Sequence, residues 1–375
     1  GFAERARYMI RIAERKLATI DCNDQQGFNR YIQREPLGTI FSIVPWNYPY
    51  LTAVNAVIPA IMAGNSVIMK PSSQTPLTAE RLAQAFLEAG LPEGVFQYLY
   101  LSHDKTESLV QHPEINFVCF TGSVGGGLKI NQAASNHFVG VGLELGGKDP
   151  AYVRADADID YSVENLVDGA FFNSGQSCCG IERIYVHEDI YDSFIHKYAD
   201  LVRQYKLGDP SDPEVTLGPM VNARSADLVR KQIAEAVDKG AMPLIDAALF
   251  DLAKTEGPYL APQVLVDVDH SMSVMRDESF GPVVGIMKVG TDDEAIELMN
   301  DSDFGLTASV WTKDEMTAIQ IGNQVQTGTF FMNRCDYLDP ALAWVGIKNT
   351  GRGCTLSEIG YEQLTRPKSF HLKSI

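Results

Sequence analysis

Cysteine, histidine and positive charge are all scarce in this chain. Six cysteines in 375 residues (Cys22, Cys119, Cys178, Cys179, Cys335, Cys354) are too few for a disulfide framework, and only Cys178 and Cys179 adjoin. That usage points to a reducing compartment, so a cytoplasmic location is expected. The seven histidines are scattered, none at helical metal-ligand spacing to Cys178, and no metal site is expected. Lysine and arginine total 31 against 48 aspartates and glutamates, a formal net charge of −17, which argues against nucleic acid or an anionic membrane as partner. The most apolar stretch, Leu51 to Ala63, is short of a bilayer span. No signal-peptide pattern, low-complexity tract or solenoid-length repeat is seen.

What is present is the composition of a soluble globular protein, 45% hydrophobic and 21% charged, at a length that favours two domains. Residues 2 to 20 carry a helical pattern, broken by the polar run Asp21 to Gln26, after which Phe28 to Arg34 alternates like an exposed strand. From Gly38, short apolar runs (Thr39 to Val44, Ser66 to Lys70, Phe96 to Leu101, Asn116 to Phe120, Val139 to Leu143) alternate with helical stretches (Leu51 to Ala63, Pro76 to Glu88, Val124 to Ala134). Strands alternating with helices predict parallel pairing through crossovers, hence an α/β fold with a doubly wound dinucleotide-binding sheet. The alternation resumes after Gly147, through Glu164 to Phe172, Arg183 to Val186, Tyr191 to Tyr205, Ala223 to Lys239 and Asp292 to Met299, which predicts a second α/β domain.

The chemistry centres on two segments. Cys178 lies in Asn173-Ser174-Gly175-Gln176-Ser177-Cys178-Cys179, a small, flexible setting suited to a thiol nucleophile. Glu144 lies 34 residues upstream in Leu143-Glu144-Leu145-Gly146-Gly147-Lys148, where apolar neighbours desolvate a carboxylate and make it a better base near neutrality. Lys70 ends a strand and Pro71 stops it, at the edge where open sheets bind nucleotides. Gly122-Ser123 ends another strand and opens a helix, which suits a pyrophosphate. The run Val124-Gly125-Gly126-Gly127 is expected to weaken that helix's first turn.

Together with Pro45-Trp46-Asn47-Tyr48-Pro49, Lys70-Pro71-Ser72, Phe120-Thr121-Gly122-Ser123, Glu278-Ser279-Phe280-Gly281-Pro282-Val283 and Asn333, these segments resemble, in order, the motifs of the aldehyde dehydrogenase superfamily. The resemblance covers almost the whole chain. It implies an NAD- or NADP-dependent, non-acylating enzyme that oxidises an aldehyde to a carboxylate. Cys178 would be the nucleophile, Glu144 the base that activates water, and Asn47 the oxyanion donor. Trp46, Lys70, Ser73, Gly122, Ser123, Glu278 and Phe280 would bind cofactor, and Tyr48, Phe172, Asn333 and Trp344 would line a pocket for an apolar or aromatic aldehyde. Arg334 is a further candidate for a semialdehyde's carboxylate. Ser73 stands where relatives often carry a glutamate on the ribose, so either cofactor is admitted.

The implied organisation is a helix (1–26) packed on the cofactor domain, an oligomerisation arm (27–37 with 365–375), a dinucleotide-binding domain (38–146), a catalytic domain (147–350) and a return segment (351–364). A homodimer or homotetramer is the implied assembly. The chain opens on Gly1 inside a helical pattern, so it reads as shortened relative to the family, with a targeting segment left open. Two rivals stand beside this reading: a coenzyme A-acylating dehydrogenase, which has no need of Glu144, and a catalytically silent structural subunit.

Overall fold

The computed structural model describes residues 1–254 and 257–374. The chain forms two units. The first comprises Gly1–Leu145, Leu338–Val345 and the stretch from Gly351 onward; the second comprises Gly146–Tyr337 and Gly346–Thr350.

The first unit is built on a six-stranded sheet ordered Gly351–Arg352, Gly140–Glu144, Ile115–Thr121, Thr39–Ile43, Ser66–Lys70, Phe96–Tyr98. Every pairing is parallel except the short edge strand Gly351–Arg352, which runs antiparallel to Gly140–Glu144. Consecutive strands leave Thr39–Ile43 first to one side and then to the other, so the topological switch lies between Thr39–Ile43 and Ile115–Thr121. Phe41, Val118, Val141 and Leu143 bury the sheet against helices that include Val124–Ala134. The strand expected to reach Leu101 stops at Tyr98, and a further helix, His103–Val110, begins on a Ser102 cap.

In the same unit, Phe28–Pro36 pairs along its length with Thr365–Lys373 in an antiparallel ribbon, with Ile20–Asp21 on its other edge. Tyr31 stacks on Phe370 and Phe28 on His371 across the strands. The predicted arm also included Ile375, which lies outside the described residues.

The second unit has a seven-stranded sheet ordered Met242–Pro243, Gln263–Val266, Val283–Val289, Ile181–His187, Asp149–Val153, Thr307–Trp311, Thr329–Met332. It too is parallel except for its first, two-residue edge strand. Its strands are apolar on both faces, as a sheet covered on both sides requires. The helix Ile159–Phe171, capped by Asp158, leads into the loop that carries Cys178. Among the described residues, no helix is long and apolar enough to cross a membrane.

Candidate active site

Four of the sequence-predicted segments emerge at the carboxyl ends of parallel strands in the first unit. Val44 to Tyr48 leaves Thr39–Ile43 and starts the helix Pro49–Met62, placing Trp46, Asn47 and Tyr48 half-buried in one turn. Lys70 ends its strand with its ammonium donating to the Pro71 carbonyl at 2.9 Å, and burial lowers its pKa. Ser73 follows on an exposed turn. Thr121 leads to Gly122 and Ser123, and Gly140–Glu144 delivers Glu144 itself.

The glycine-rich segment predicted to hold a phosphate does form its helix. Ser123 caps Val124–Ala134 by accepting from the Gly126 N–H at 3.2 Å, and this hydrogen bond offsets the low helix propensity of the glycines. Those glycines also answer a packing demand. A Cβ at Gly122 would lie 2.7 Å from the Phe120 ring, one at Gly126 2.8 Å from it, and one at Gly127 2.6 Å from Leu145.

Glu144 accepts a hydrogen bond on each carboxylate oxygen, from the Thr355 hydroxyl at 2.6 Å and from the Thr121 hydroxyl at 3.1 Å. Burial raises its pKa, while the two hydroxyls and the charge of Arg5 oppose that rise. Trp344 is buried, and its backbone exchanges two hydrogen bonds with Thr355.

In the second unit the predicted residues gather at the opposite, amino ends of the strands. Cys178 precedes Ile181–His187, Glu278 and Phe280 precede Val283–Val289, and Gly147 precedes Asp149–Val153. The predicted nucleophile loop contains a run of left-handed residues, Asn173 (φ 50°), Ser174 (φ 56°) and Gly175 (φ 70°). Such backbone persists only where its surroundings over-determine it. Here Ser174 Oγ donates to the Gly218 carbonyl at 2.7 Å, and Gln176 holds the Val221 N–H at 2.7 Å and the Asn173 carbonyl at 3.0 Å. A Cβ on Gly175 would come within 2.2 Å of the Gly281 carbonyl oxygen, so this position demands glycine twice over.

Two further glycines tie the segments together. A Cβ at Gly146 would lie 2.3 Å from the Glu278 carboxylate, and one at Gly147 2.5 Å from the Cys178 carbonyl oxygen. The Gly147 N–H donates to Glu278 at 3.1 Å. Burial, with the charge of Glu182 nearby, pushes the Glu278 carboxyl up to about 7, against the pull of Gly147 and Lys148.

Three further residues support these segments. Lys148 is fully buried and paired with Glu182 at 2.5 Å; Glu182 in turn accepts the Ser279 and Phe280 N–H groups, each at 2.8 Å. This pair holds the Glu278–Phe280 loop, and Phe280 adopts φ 50° within it. Asp336 accepts from the Cys179 thiol at 2.9 Å and from the Ser177 hydroxyl at 3.3 Å, bracketing Cys178 from both chain neighbours. Hydrogen bonding with Cys178, burial and Asp336 keep the Cys179 thiol well above the ordinary range, hence protonated. Nothing in the spacing of Lys148, Glu182 and Asp336 marks such partnerships; they arise from strand register.

Two of the predicted pocket residues have distinct settings. Asn333 follows the carboxyl end of Thr329–Met332, away from Cys178, and its side chain is spent on the backbone of Thr312 (donating at 2.8 Å, accepting at 3.0 Å). These two bonds pin Thr329–Met332 to the strand beside it. From there the chain returns along one face of the helix Ile159–Phe171: the Tyr161 hydroxyl donates to the Asn333 carbonyl, Cys335 meets Asn165 and Gly169, and Asp336 arrives at the nucleophile loop. Of the adjacent phenylalanines, Phe171 is core, packed against Tyr198 and Tyr205, while Phe172 is 53% exposed.

The aldehyde dehydrogenase family model matches residues 1–370. The chain belongs to this family. Compared with an aldehyde dehydrogenase of Paenarthrobacter nicotinovorans it is 37% identical over 350 residues, covering 93% of this chain and 76% of the relative. A crystal structure of succinic semialdehyde dehydrogenase from Streptococcus pyogenes with NADP+ superposes at TM-score 0.92 and 30% identity, over the full chain and 81% of that protein. Betaine aldehyde dehydrogenase from Staphylococcus aureus, in complex with NAD+, also gives TM-score 0.92 and 30% identity, over 99% of this chain and 74% of that one. Among the described residues of this aldehyde dehydrogenase, no cluster of three or more His, Cys, Asp or Glu is arranged to hold a metal.

Proposed function

We propose that this aldehyde dehydrogenase uses NAD or NADP to oxidise an aldehyde to a carboxylate through a thioester on Cys178. The observation that carries this is the constrained nucleophile loop, in which strained backbone and the Asp336 clamp fix Cys178 while its neighbour Cys179 is kept neutral. The first sheet supplies a fit for a nicotinamide dinucleotide. A helix N-terminus capped by Ser123, a glycine-lined approach at Gly122 and Gly126, and Lys70 all lie at carboxyl ends, with the topological switch alongside.

In this reading Cys178 Sγ adds to the carbonyl carbon, and the Asn47 side-chain amide with the Cys178 N–H stabilises the oxyanion formed. The bound nicotinamide supplies the hydride acceptor. Loss of hydride leaves a thioester on Sγ. Glu144 then takes one proton from water as the water oxygen bonds to the thioester carbon; collapse of that adduct releases the Cys178 thiolate and the carboxylic acid, which gives up its remaining proton to solvent as the carboxylate. Glu278 is assigned to the nicotinamide ribose, and Phe280 and Trp46 to packing beside the cofactor. Ser73, with no acidic side chain to repel a 2′-phosphate, supports use of NADP as well as NAD. The hydroxyl pair on Glu144 favours hydrolysis over transfer to coenzyme A.

For the substrate, Tyr48, Phe172 and Trp344 are assigned to an apolar or aromatic wall. A semialdehyde is the second reading, prompted by Arg334, whose guanidinium stacks 3.6 Å over the Tyr337 ring and is exposed. The ribbon of Phe28–Pro36 and Thr365–Lys373 leaves a nine-residue edge strand open, which supports assembly into a homo-oligomer through it. The deciding experiment follows reduced cofactor with NAD or NADP and a panel of aliphatic, aromatic and semialdehyde substrates. Turnover lost in Cys178→Ala is the expected outcome; turnover retained in that variant would overturn the mechanism.

A further inference from the structure

The described return segment carries an unusual stretch around Thr355. Its edge strand Gly351–Arg352 pairs with Leu143 and Glu144, with Gly351 at φ 121°, where a Cβ would strike the Leu143 carbonyl oxygen at 2.1 Å. Thr355 itself is buried and locked by two backbone hydrogen bonds to Trp344, at 2.9 and 3.0 Å. Immediately beyond it, Leu356 (φ 60°) and Ser357 (φ 51°) are both left-handed, and the Ser357 N–H is tied to the Pro340 carbonyl at 2.8 Å. Leucine gains nothing from that conformation, so the surrounding contacts must impose it. What the stretch delivers is one hydroxyl, 2.6 Å from Glu144 Oε1, while Thr121 occupies Oε2.

We propose that Thr355 is a positioning residue for hydrolysis: with Thr121 it forms a two-hydroxyl clamp that holds Glu144 as the carboxylate and so sets the lowest pH at which the thioester is released. The inference rests on Glu144 being the base that activates water. Each threonine donates its proton and leaves each carboxylate oxygen a lone pair for water. The titratable groups facing Glu144 within the unit are Cys119 on Ile115–Thr121, Cys354 beside Thr355, and Arg5 on the N-terminal helix Phe2–Leu17. Both thiols are pushed up by burial and by Glu144, so neither adds charge near neutrality. Arg5 donates to the Leu51 carbonyl at 2.7 Å and to Asn55 at 3.3 Å, and its charge also favours ionised Glu144. The hydroxyls are therefore the adjustable part of the site.

The sign is fixed by which form they bind. Donors to a carboxylate lower its pKa, so their removal raises it and moves the acid limb of steady-state turnover to higher pH. Thr355→Val, which keeps the shape and removes the hydroxyl, is expected to move that limb up by about one pH unit. The pre-steady-state burst of reduced cofactor persists in this variant, because acylation precedes the Glu144 step. Thr355→Ser restores the wild-type limb. Thr121→Val, acting on the other oxygen, moves the limb in the same direction and covers the case in which Thr355→Val fails to fold. Glu144→Gln separates the two ideas. A burst with hydrolysis lost in Glu144→Gln, beside an unmoved limb in both threonine variants, overturns the clamp alone; normal hydrolysis in Glu144→Gln overturns the base assignment on which it rests.

Discussion

The six-stranded sheet of the first unit gathers its predicted functional residues at the carboxyl ends of its strands, whereas the seven-stranded sheet of the second gathers them at the amino ends. In the first, Trp46, Lys70, Gly122 and Glu144 each follow a parallel strand, as expected where crossover loops open around a topological switch. In the second, Gly147, Cys178 and Glu278 each precede one. The two ends ask for different backbone. The first sheet's residues leave through turns that start helices capped in ordinary ways, such as Ser123. The second sheet's are reached through left-handed residues (Asn173, Ser174, Gly175, Phe280) that need outside support from Gln176, Glu182 and Asp336. A similar α/β layout thus positions the residues proposed for ligand binding by geometry inherent to the sheet in one unit, and the proposed nucleophile by strain and a buried polar scaffold in the other.

The sharpest way to break this comparison is to remove the scaffold's buried cation. Lys148→Met leaves Glu182 buried, still accepting from Ser279 and Phe280 but without its counter-charge. Removing one partner of a buried pair costs about 3–5 kcal/mol. Chemical denaturation should register a loss of that size. A loss below about 1 kcal/mol would mean that the Glu278–Phe280 loop does not depend on the pair.

Next in size is a pH effect confined to the amino end. Glu278 is pushed up to about 7 from its ordinary 4.5, so between those values the folded state holds a proton that the unfolded state has released. Stability therefore falls as pH rises from about 4.5 to 7 and is constant, on this account, above it; the shift corresponds to about 3 kcal/mol. Glu278→Gln keeps an acceptor for the Gly147 N–H and cannot titrate. Its melting temperature should lose that slope, exceed wild type at pH 8, and converge with it at pH 4.5. An unchanged slope would locate the titration elsewhere.

Much of this architecture is legible in the sequence. Strands and helices of the first unit follow short apolar runs broken by caps, and Val124–Ala134 runs between its predicted bounds despite its glycines. The nucleophile loop and the Glu-Leu-Gly-Gly-Lys segment were recognisable as motifs because glycine is needed there for contact: Gly146 against Glu278, Gly147 against Cys178, Gly175 against Gly281. What the sequence concealed depends on register between distant strands. Glu182 reaches Lys148 because Asp149–Val153 pairs with Ile181–His187, and Thr355 reaches Glu144 because Gly351–Arg352 closes on the sheet's edge. Asn333 shows the same dependence: its place beside a strand is legible in the sequence, but which end of the sheet that strand presents is not.

Asn333 also gives the finest test, since it shares a unit and a sheet with Cys178 but stands at the other end. Its amide bonds to the Thr312 N–H and carbonyl stand in for a missing ladder rung, and Thr312 is buried where Asp156 and Arg154 meet it. Asn333→Ala removes two neutral hydrogen bonds, worth about 1 kcal/mol each, and frees a residue at φ 52° from the conformation that asparagine tolerates better than alanine. Denaturation should show a loss of about 1–3 kcal/mol. The Michaelis constant for aldehyde and the burst amplitude should hold at wild-type values, because the nucleophile loop is anchored separately through Asp336 and Gln176. A selective rise in the Michaelis constant without loss of stability would place Asn333 in the substrate pocket and dissolve the separation of the two ends.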